Sequence, residues 1–161
     1  MIRPAQHSDL PEILNIYATA RNFMANNGNP SQWGNSYPKE ELLIKDIQAG
    51  QLYVCCDGEG IFGVFMFFIG PEPTYSHIEG SWLSDLPYGT IHRIASCGRR
   101  KGVFDMCIDY CMEKIKHLRI DTHARNLVMQ HLIEKRGFIK CGTVYMINSD
   151  GSPRTAYEYI G

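Results

Sequence analysis

The apolar run Val64-Phe65-Met66-Phe67-Phe68-Ile69 most constrains the fold of this chain. A strand without polar alternation cannot leave one face in water, so the run asks for a covering layer on each side. Asp57-Gly58-Glu59-Gly60 carries turn chemistry and joins Gln51–Cys56 to Ile61–Ile69 as a hairpin, while Pro71 and Pro73 end the second strand. A central strand buried on both faces implies helices packed against a sheet.

The rest of the chain supplies them. Ile2–Ala5 reads as a short first strand. Ser8 or Asp9 offers an N-cap for a helix whose Ile13, Ile16, Tyr17, Ala20 and Phe23-Met24 recur at helical spacing, and Asn26–Pro30 breaks it. A second helix starts near Pro38 and stops at Gly50. Thr90–Ala95 is a strand, Val103–His117 a helix, Leu118–Thr122 a strand, Asn126–Arg136 a helix and Phe138–Ile147 a strand. Asn148-Ser149-Asp150-Gly151 then turns the chain into a last strand, Thr155–Ile160. The order β-α-α-β-β-β-α-β-α-β-β, without repeat or linker, makes one α/β or α+β domain over residues 1–161.

A net charge of −1 leaves no excess of basic charge for nucleic acid or an anionic membrane as main partner. Met1–His7 lacks the apolar run of a signal peptide, and Ile61–Ile69 is too short to span a bilayer. Cys55, Cys56, Cys97, Cys107, Cys111 and Cys141 are therefore expected as reduced thiols in a cytoplasmic protein. None of them completes a zinc-ligand spacing, so no metal is expected.

The informative stretch is His92-Arg93-Ile94-Ala95-Ser96-Cys97-Gly98-Arg99-Arg100-Lys101-Gly102-Val103. A strand enters a short loop rich in Gly and basic residues, and a helix opens at its end. Such a loop aims backbone N–H groups at one point, where the helix dipole also favours negative charge. Gly102 would let the backbone approach an anion closely, and a pyrophosphate suits the arrangement. The competing reading is a solvated basic turn.

Here the sequence resembles the GNAT acetyltransferase superfamily. Arg99-Arg100-Lys101-Gly102-Val103-Phe104 matches the first Arg and first Gly of the family's loop signature, with Phe104 in place of its last small residue. Downstream, Leu118–Thr122 reads like the family's fifth strand, and Asn126 through Glu134-Lys135-Arg136-Gly137-Phe138 resembles its Asn-to-"EK-x-GF" helix. The resemblance implies a mixed, mostly antiparallel sheet of about seven strands flanked by four helices and splayed between the fourth and fifth strands. It also implies acetyl-CoA as cosubstrate. Ile94, Ala95 and Ser96 would pair with the pantetheine arm, and the amides of Arg99, Arg100, Lys101, Gly102 and Val103 would cradle the pyrophosphate. Asn126 would lie near the acetyl group and the sulfur.

The implied reaction is acetyl transfer to the primary amine of a small molecule, or to a peptide amine, by direct attack in a ternary complex. The amine must be neutral to attack, so a base is needed. The resemblance offers His92, where some relatives relay protons through water, and Asp121, where others place a glutamate; each is otherwise a structural residue. His123 lies close to Asp121 and is a lesser candidate. An N–H of Ile94 or Ala95 would stabilise the oxyanion. Where many relatives hold a general-acid tyrosine, this chain has Ile133, which motivates the alternative of a non-catalytic acyl-CoA-binding or regulatory module. Phe104 either packs in the core with Cys107, Ile108 and Cys111 or crowds the pantetheine. The acceptor is expected near Trp33, Tyr37 and Trp82, with Tyr75 and Tyr88 in the same connections; such aromatics either line a pocket or cap the core. Glu79 and Asp85 could bind an ammonium group. The protein is expected as a monomer or homodimer.

Overall fold

The computed structural model describes residues 1–34, 36–147 and 150–161. The turn expected at Asn148-Ser149 lies outside the described residues. In chain order the elements are β1 (Ile2–Pro4), α1 (Leu10–Asn26), α2 (Glu40–Gln48), β2 (Leu52–Asp57), β3 (Gly60–Ile69), β4 (Glu79–Gly80), β5 (Gly89–Ser96), α3 (Val103–Lys114), β6 (Leu118–Thr122), α4 (Leu127–Lys135), β7 (Ile139–Tyr145) and β8 (Pro153–Tyr159). The strands form one mixed sheet in the order β1-β2-β3-β5-β6-β8-β7-β4. The pairing of β5 with β6 is parallel; β1–β2, β2–β3, β6–β8, β7–β8 and β4–β7 are antiparallel. No helix among the described residues is long and apolar enough to cross a membrane.

The chain divides into two compact units, residues 1–67 with 92–107, and residues 68–91 with 108–161. In the first, β3 is buried from Ile61 to Phe67, as its unbroken apolar run requires. Helix α1 buries Ile13, Ile16, Tyr17 and Ala20 at helical spacing. Its start is tied to β1, because the Asp9 carboxylate accepts two bonds from Arg3, at 2.8 and 3.0 Å, and one from the Gln6 N–H at 2.7 Å. Helix α2 starts at Glu40, after Pro38 rather than on it, and buries Leu43 and Asp46.

In the second unit, the parallel pairing of β5 with β6 covers Gly89–Ile91 against Leu118–Ile120, and Asp121 and Thr122 continue β6 against Ala156 and Thr155 of β8. Helix α4 is capped by Asn126, whose Oδ1 accepts from the Met129 N–H at 3.1 Å. The two-residue β4 adds an eighth strand to those read from the sequence, paired with Gly142 and Thr143 of β7. Tyr75, Val144 and Ala156 form a buried cluster covered by Ile78, Trp82 and Tyr88.

Candidate functional site

In the first unit, the feature that organises the candidate site is Arg93 on β5. Its φ is +55°, and it is the one non-glycine residue among those described with a positive φ. Such a conformation costs an L residue on the order of 1–3 kcal/mol and persists only where the surroundings hold it. Here they do. The Tyr17 hydroxyl of α1 donates to the Arg93 carbonyl at 2.8 Å, the guanidinium pairs with the Asp46 carboxylate of α2, and its Nη1 donates to the Tyr37 hydroxyl at 3.3 Å. Burial works against the Arg93 charge, but Tyr37, Asp46 and Tyr17 outweigh it and hold the pKa above the ordinary arginine value. Burial likewise pushes the Tyr17 phenol far up, so it acts as a neutral donor. Trp33 joins this group, packing edge-on against Tyr17 at 5.5 Å and tilted against Tyr37 at 6.3 Å. Trp33 is buried; Tyr37 and His92 are half-buried.

Beyond Arg93 the strand runs through buried Ile94 and Ala95 to half-buried Ser96, and the Cys97 N–H donates to the Phe62 carbonyl at 3.1 Å. The Gly98 N–H then turns onto Ser96 Oγ at 3.1 Å. Gly102 has φ +79°, and a Cβ there would meet nothing within 4 Å. Glycine is needed at this position for its conformation, and the space beside it is open. The Met106 N–H of α3 donates to the Gly102 carbonyl at 3.0 Å, which places Gly102 at the start of the helix. Helix α3 is seated closely on the sheet because β3 carries Gly63, where a Cβ would stand 2.8 Å from Val103 Cγ1. Phe104 is buried with Cys107, Ile108 and Cys111, so it faces the core.

The basic cluster of this loop finds acidic partners within its own unit. Arg99 donates to both Asp57 oxygens at 2.9 and 3.0 Å and to Glu59 at 2.8 Å; Arg100 reaches Asp57 at 3.3 Å. Both guanidiniums also lie over the Phe62 ring. Arg99 holds the Asp57 carboxyl well below the usual carboxylate range. What the loop offers an anion is therefore chiefly its backbone N–H groups and exposed Lys101.

In the second unit, Asp121 accepts from the Tyr75 hydroxyl at 2.6 Å. Burial first, and Asp121 second, raise the Tyr75 pKa well above the ordinary phenol value. Trp82 donates from Nε1 to the Tyr75 carbonyl at 3.0 Å, and its ring packs on Arg119, whose guanidinium lies 4.0 Å from the centroids of both Trp82 and Tyr88. Arg119 Nε donates to fully buried Glu158 at 2.6 Å, and His117 contacts the same oxygen through Nε2 at 2.5 Å. His123 Nδ1 accepts from the Arg125 N–H at 3.0 Å, and partial burial, with Arg154 and Arg125, lowers its pKa. Asn126 and Ile133 are buried, Glu79 pairs with the Tyr145 hydroxyl, and Asp85 is exposed. Among the described residues no group of three or more His, Cys, Asp or Glu side chains is placed to hold a metal ion.

The first unit thus brings Trp33 and Tyr37 together with Arg93, next to His92 in the chain, and runs from there into the loop of Gly98–Gly102. The second carries Asp121, Asn126 and Trp82. Sequence reasoning missed Tyr17, Asp46, Tyr75, Arg119 and Glu158 as polar partners. The available signals were an acid three residues from Leu43 on α2 and an arginine between apolar Leu118 and Ile120.

No protein-family model matches the chain, and no curated protein matches it in sequence. Among solved structures, the chain is similar to an acetyltransferase of the GNAT family from Streptococcus agalactiae, with 31% identity, a TM-score of 0.87, and 100% of this chain and 95% of that one covered. It is similar to a candidate acetyltransferase from Staphylococcus aureus at 26% identity and TM-score 0.71, over 99% of this chain and 98% of that one. A ribosomal-protein-alanine N-acetyltransferase from Brucella melitensis, 17% identical with a TM-score of 0.63 over 100% of this chain and 99% of that one, shares the fold.

Proposed function

The chain belongs to the GNAT family of acetyltransferases, and on that ground we propose that it transfers the acetyl group of acetyl-CoA to the primary amine of a small molecule, or to a peptide amine, by direct attack in a ternary complex. The observation that carries the reading is the path from Arg93 to Val103. A strand with a left-handed step enters a loop with positive-φ glycines at 98 and 102, then the N-terminus of helix α3, an end that favours an anion. The open space beside Gly102 fits a phosphate group approaching the backbone.

Acetyl-CoA, when bound, supplies the acyl group and a thiolate that leaves without strong assistance. Ile94, Ala95 and Ser96 hold its pantetheine arm, and the amides of Arg99, Arg100, Lys101, Gly102 and Val103 hold the diphosphate. An N–H of Ile94 or Ala95 donates to the oxygen that gains charge. His92 takes the proton of the attacking amine, with Asp121 the competing base; Asn126 orients the acyl end, and Trp33, Tyr37 and Trp82 receive the acceptor. A cytoplasmic setting is part of the same proposal.

A second reading, an acyl-CoA-binding module without turnover, is favoured by one observation: the position of the family's general-acid tyrosine is a buried isoleucine, Ile133. Two measurements separate the readings. Acetyl-CoA is expected to raise the melting temperature, since a ligand that binds the native state stabilises it. Polyamines, aminoglycosides, amino acids and peptides are then tested for release of free CoA thiol. Release with a matching acetylated product supports transfer. A thermal shift without release across the panel supports the module, and no shift at millimolar acetyl-CoA sinks both.

A further inference from the structure

Three separate segments of the first unit end on Arg93. Tyr17 of α1 holds its carbonyl, Tyr37 meets its Nη1, and Asp46 of α2 pairs with its Nη2. The residue they hold has φ +55° on a strand, a conformation that glycine adopts freely and that asparagine or aspartate supports with a local side-chain bond. Arginine has neither advantage. Its side chain instead runs into a buried site, where its exposure is 10% beside Asp46 at 8%. A left-handed step in a strand re-aims the peptide groups that follow it, and strands carry such irregularities next to functional sites.

We infer that Arg93 is a positioning residue: Tyr17, Tyr37 and Asp46 clasp it so that β5 keeps its left-handed step and the N–H groups of Ile94 and Ala95 keep their direction. The clasp also has a second consequence. Tyr37 and Trp33 lie in the segment proposed to receive the acceptor, and Trp33 packs on Tyr17 as well as Tyr37. Whatever shifts these aromatics shifts the bonds that hold the strand, so the acceptor side and the acyl side communicate through one residue. The activity readout rests on the acetyl-transfer reading; the clasp itself does not.

The test compares Tyr17→Phe, Arg93→Ala and Arg93→Gly with the wild-type chain, in steady-state acetyl transfer, CoA affinity and hydrogen–deuterium exchange of the 93–96 segment. Tyr17→Phe removes one hydroxyl and keeps the ring packing. It is expected to lower kcat about tenfold, the rate equivalent of one hydrogen bond. CoA affinity should stay near wild type, while exchange at 93–96 accelerates and exchange in β2 does not. Arg93→Gly, which tolerates φ +55° without the clasp, is expected to retain more activity than Arg93→Ala. Native kcat and native exchange in Tyr17→Phe would overturn the inference, as would Arg93→Ala matching or exceeding Arg93→Gly. If the arginine variants fail to fold, Tyr17→Phe decides. If the wild-type chain transfers no acetyl group, the proposed function fails, and the exchange pattern at 93–96 still decides the clasp by itself.

Discussion

Gly102 and Arg93 both sit in the left-handed region, at φ +79° and +55°, but for different reasons. At Gly102 a Cβ would meet nothing, so any cost of substitution is conformational. Gly102→Val is expected to lose on the order of 1–2 kcal/mol of folding stability by urea denaturation. It should also weaken CoA binding in calorimetry, because the turn that presents the amides relaxes; an unchanged dissociation constant would remove Gly102 from the cofactor site. His92→Ala tests the proposed base. Its expected signature is a kcat lower by about 100-fold or more with CoA affinity preserved, and equal activity of mutant and wild type across pH would exclude the role. At this scale the sequence was legible where chemistry is local. Gly102 announces itself beside basic residues and a helix start. The partners of Arg93 do not, because Tyr17 and Asp46 lie 76 and 47 positions away and each reads alone as one more residue on a helix face.

Elements were read with few errors because each has its own period and its own stops. The apolar run that opens at Val64 lies in β3 and is buried as far as Phe67, while Ile69 at its end is exposed. Helix α1 buries Ile13, Ile16, Tyr17 and Ala20, and α3 buries Phe104, Cys107, Ile108 and Cys111, where spacing put them, but Phe23 of α1 is exposed. What escaped was pairing at a distance. Strand β4 has two residues, Glu79 and Gly80, and exists only through its partner β7. The connection from Pro71 to Tyr88, whose aromatics the sequence left open between lining a pocket and capping the core, is tied to β6 and β8. Trp82 and Tyr88 sandwich Arg119, the Leu83 N–H donates to Glu158 at 2.5 Å, and Arg119 Nη2 donates to the Ser84 carbonyl at 2.7 Å. Glu158 is the anion on which His117, Arg119 and Leu83 converge. Removing the charge of a buried carboxylate strands the Arg119 guanidinium paired with it, so Glu158→Gln is expected to cost on the order of 3 kcal/mol. Urea midpoints would measure it. A loss no larger than a surface substitution would show that the aromatic sandwich, not the carboxylate, anchors the connection.

For the whole chain, element order and the motifs of residues 90–140 were enough to point to the family, since both record how one sheet is wound and where its glycine-rich basic loop falls. The base, the acceptor and the packing of the connections depend on side chains meeting across long sequence separations. The same long-range charges set how the folded state responds to acid. Glu158 is depressed below the ordinary glutamate value of 4.5: burial opposes its charge, but Arg119, His117 and the Leu83 N–H outweigh it. Asp9 is held below its ordinary 3.8, mainly by Arg3. In each case the unfolded chain binds the proton more readily. Their contribution is present above the unfolded value and lost as pH falls through the folded one. His123 acts in the same direction at higher pH. Burial depresses it below 6.5, so unfolding takes up a proton first there as well. Stability is therefore expected to fall in two stages on acidification, a shallow one starting near pH 6.5 and a steeper one below pH 4.5. In Glu158→Gln the steeper stage should flatten, because that variant has already lost the group that titrates. Urea midpoints measured from neutral pH downward would check this, and parallel curves for variant and wild type through the acid range would show that Glu158 carries no part of the acid response.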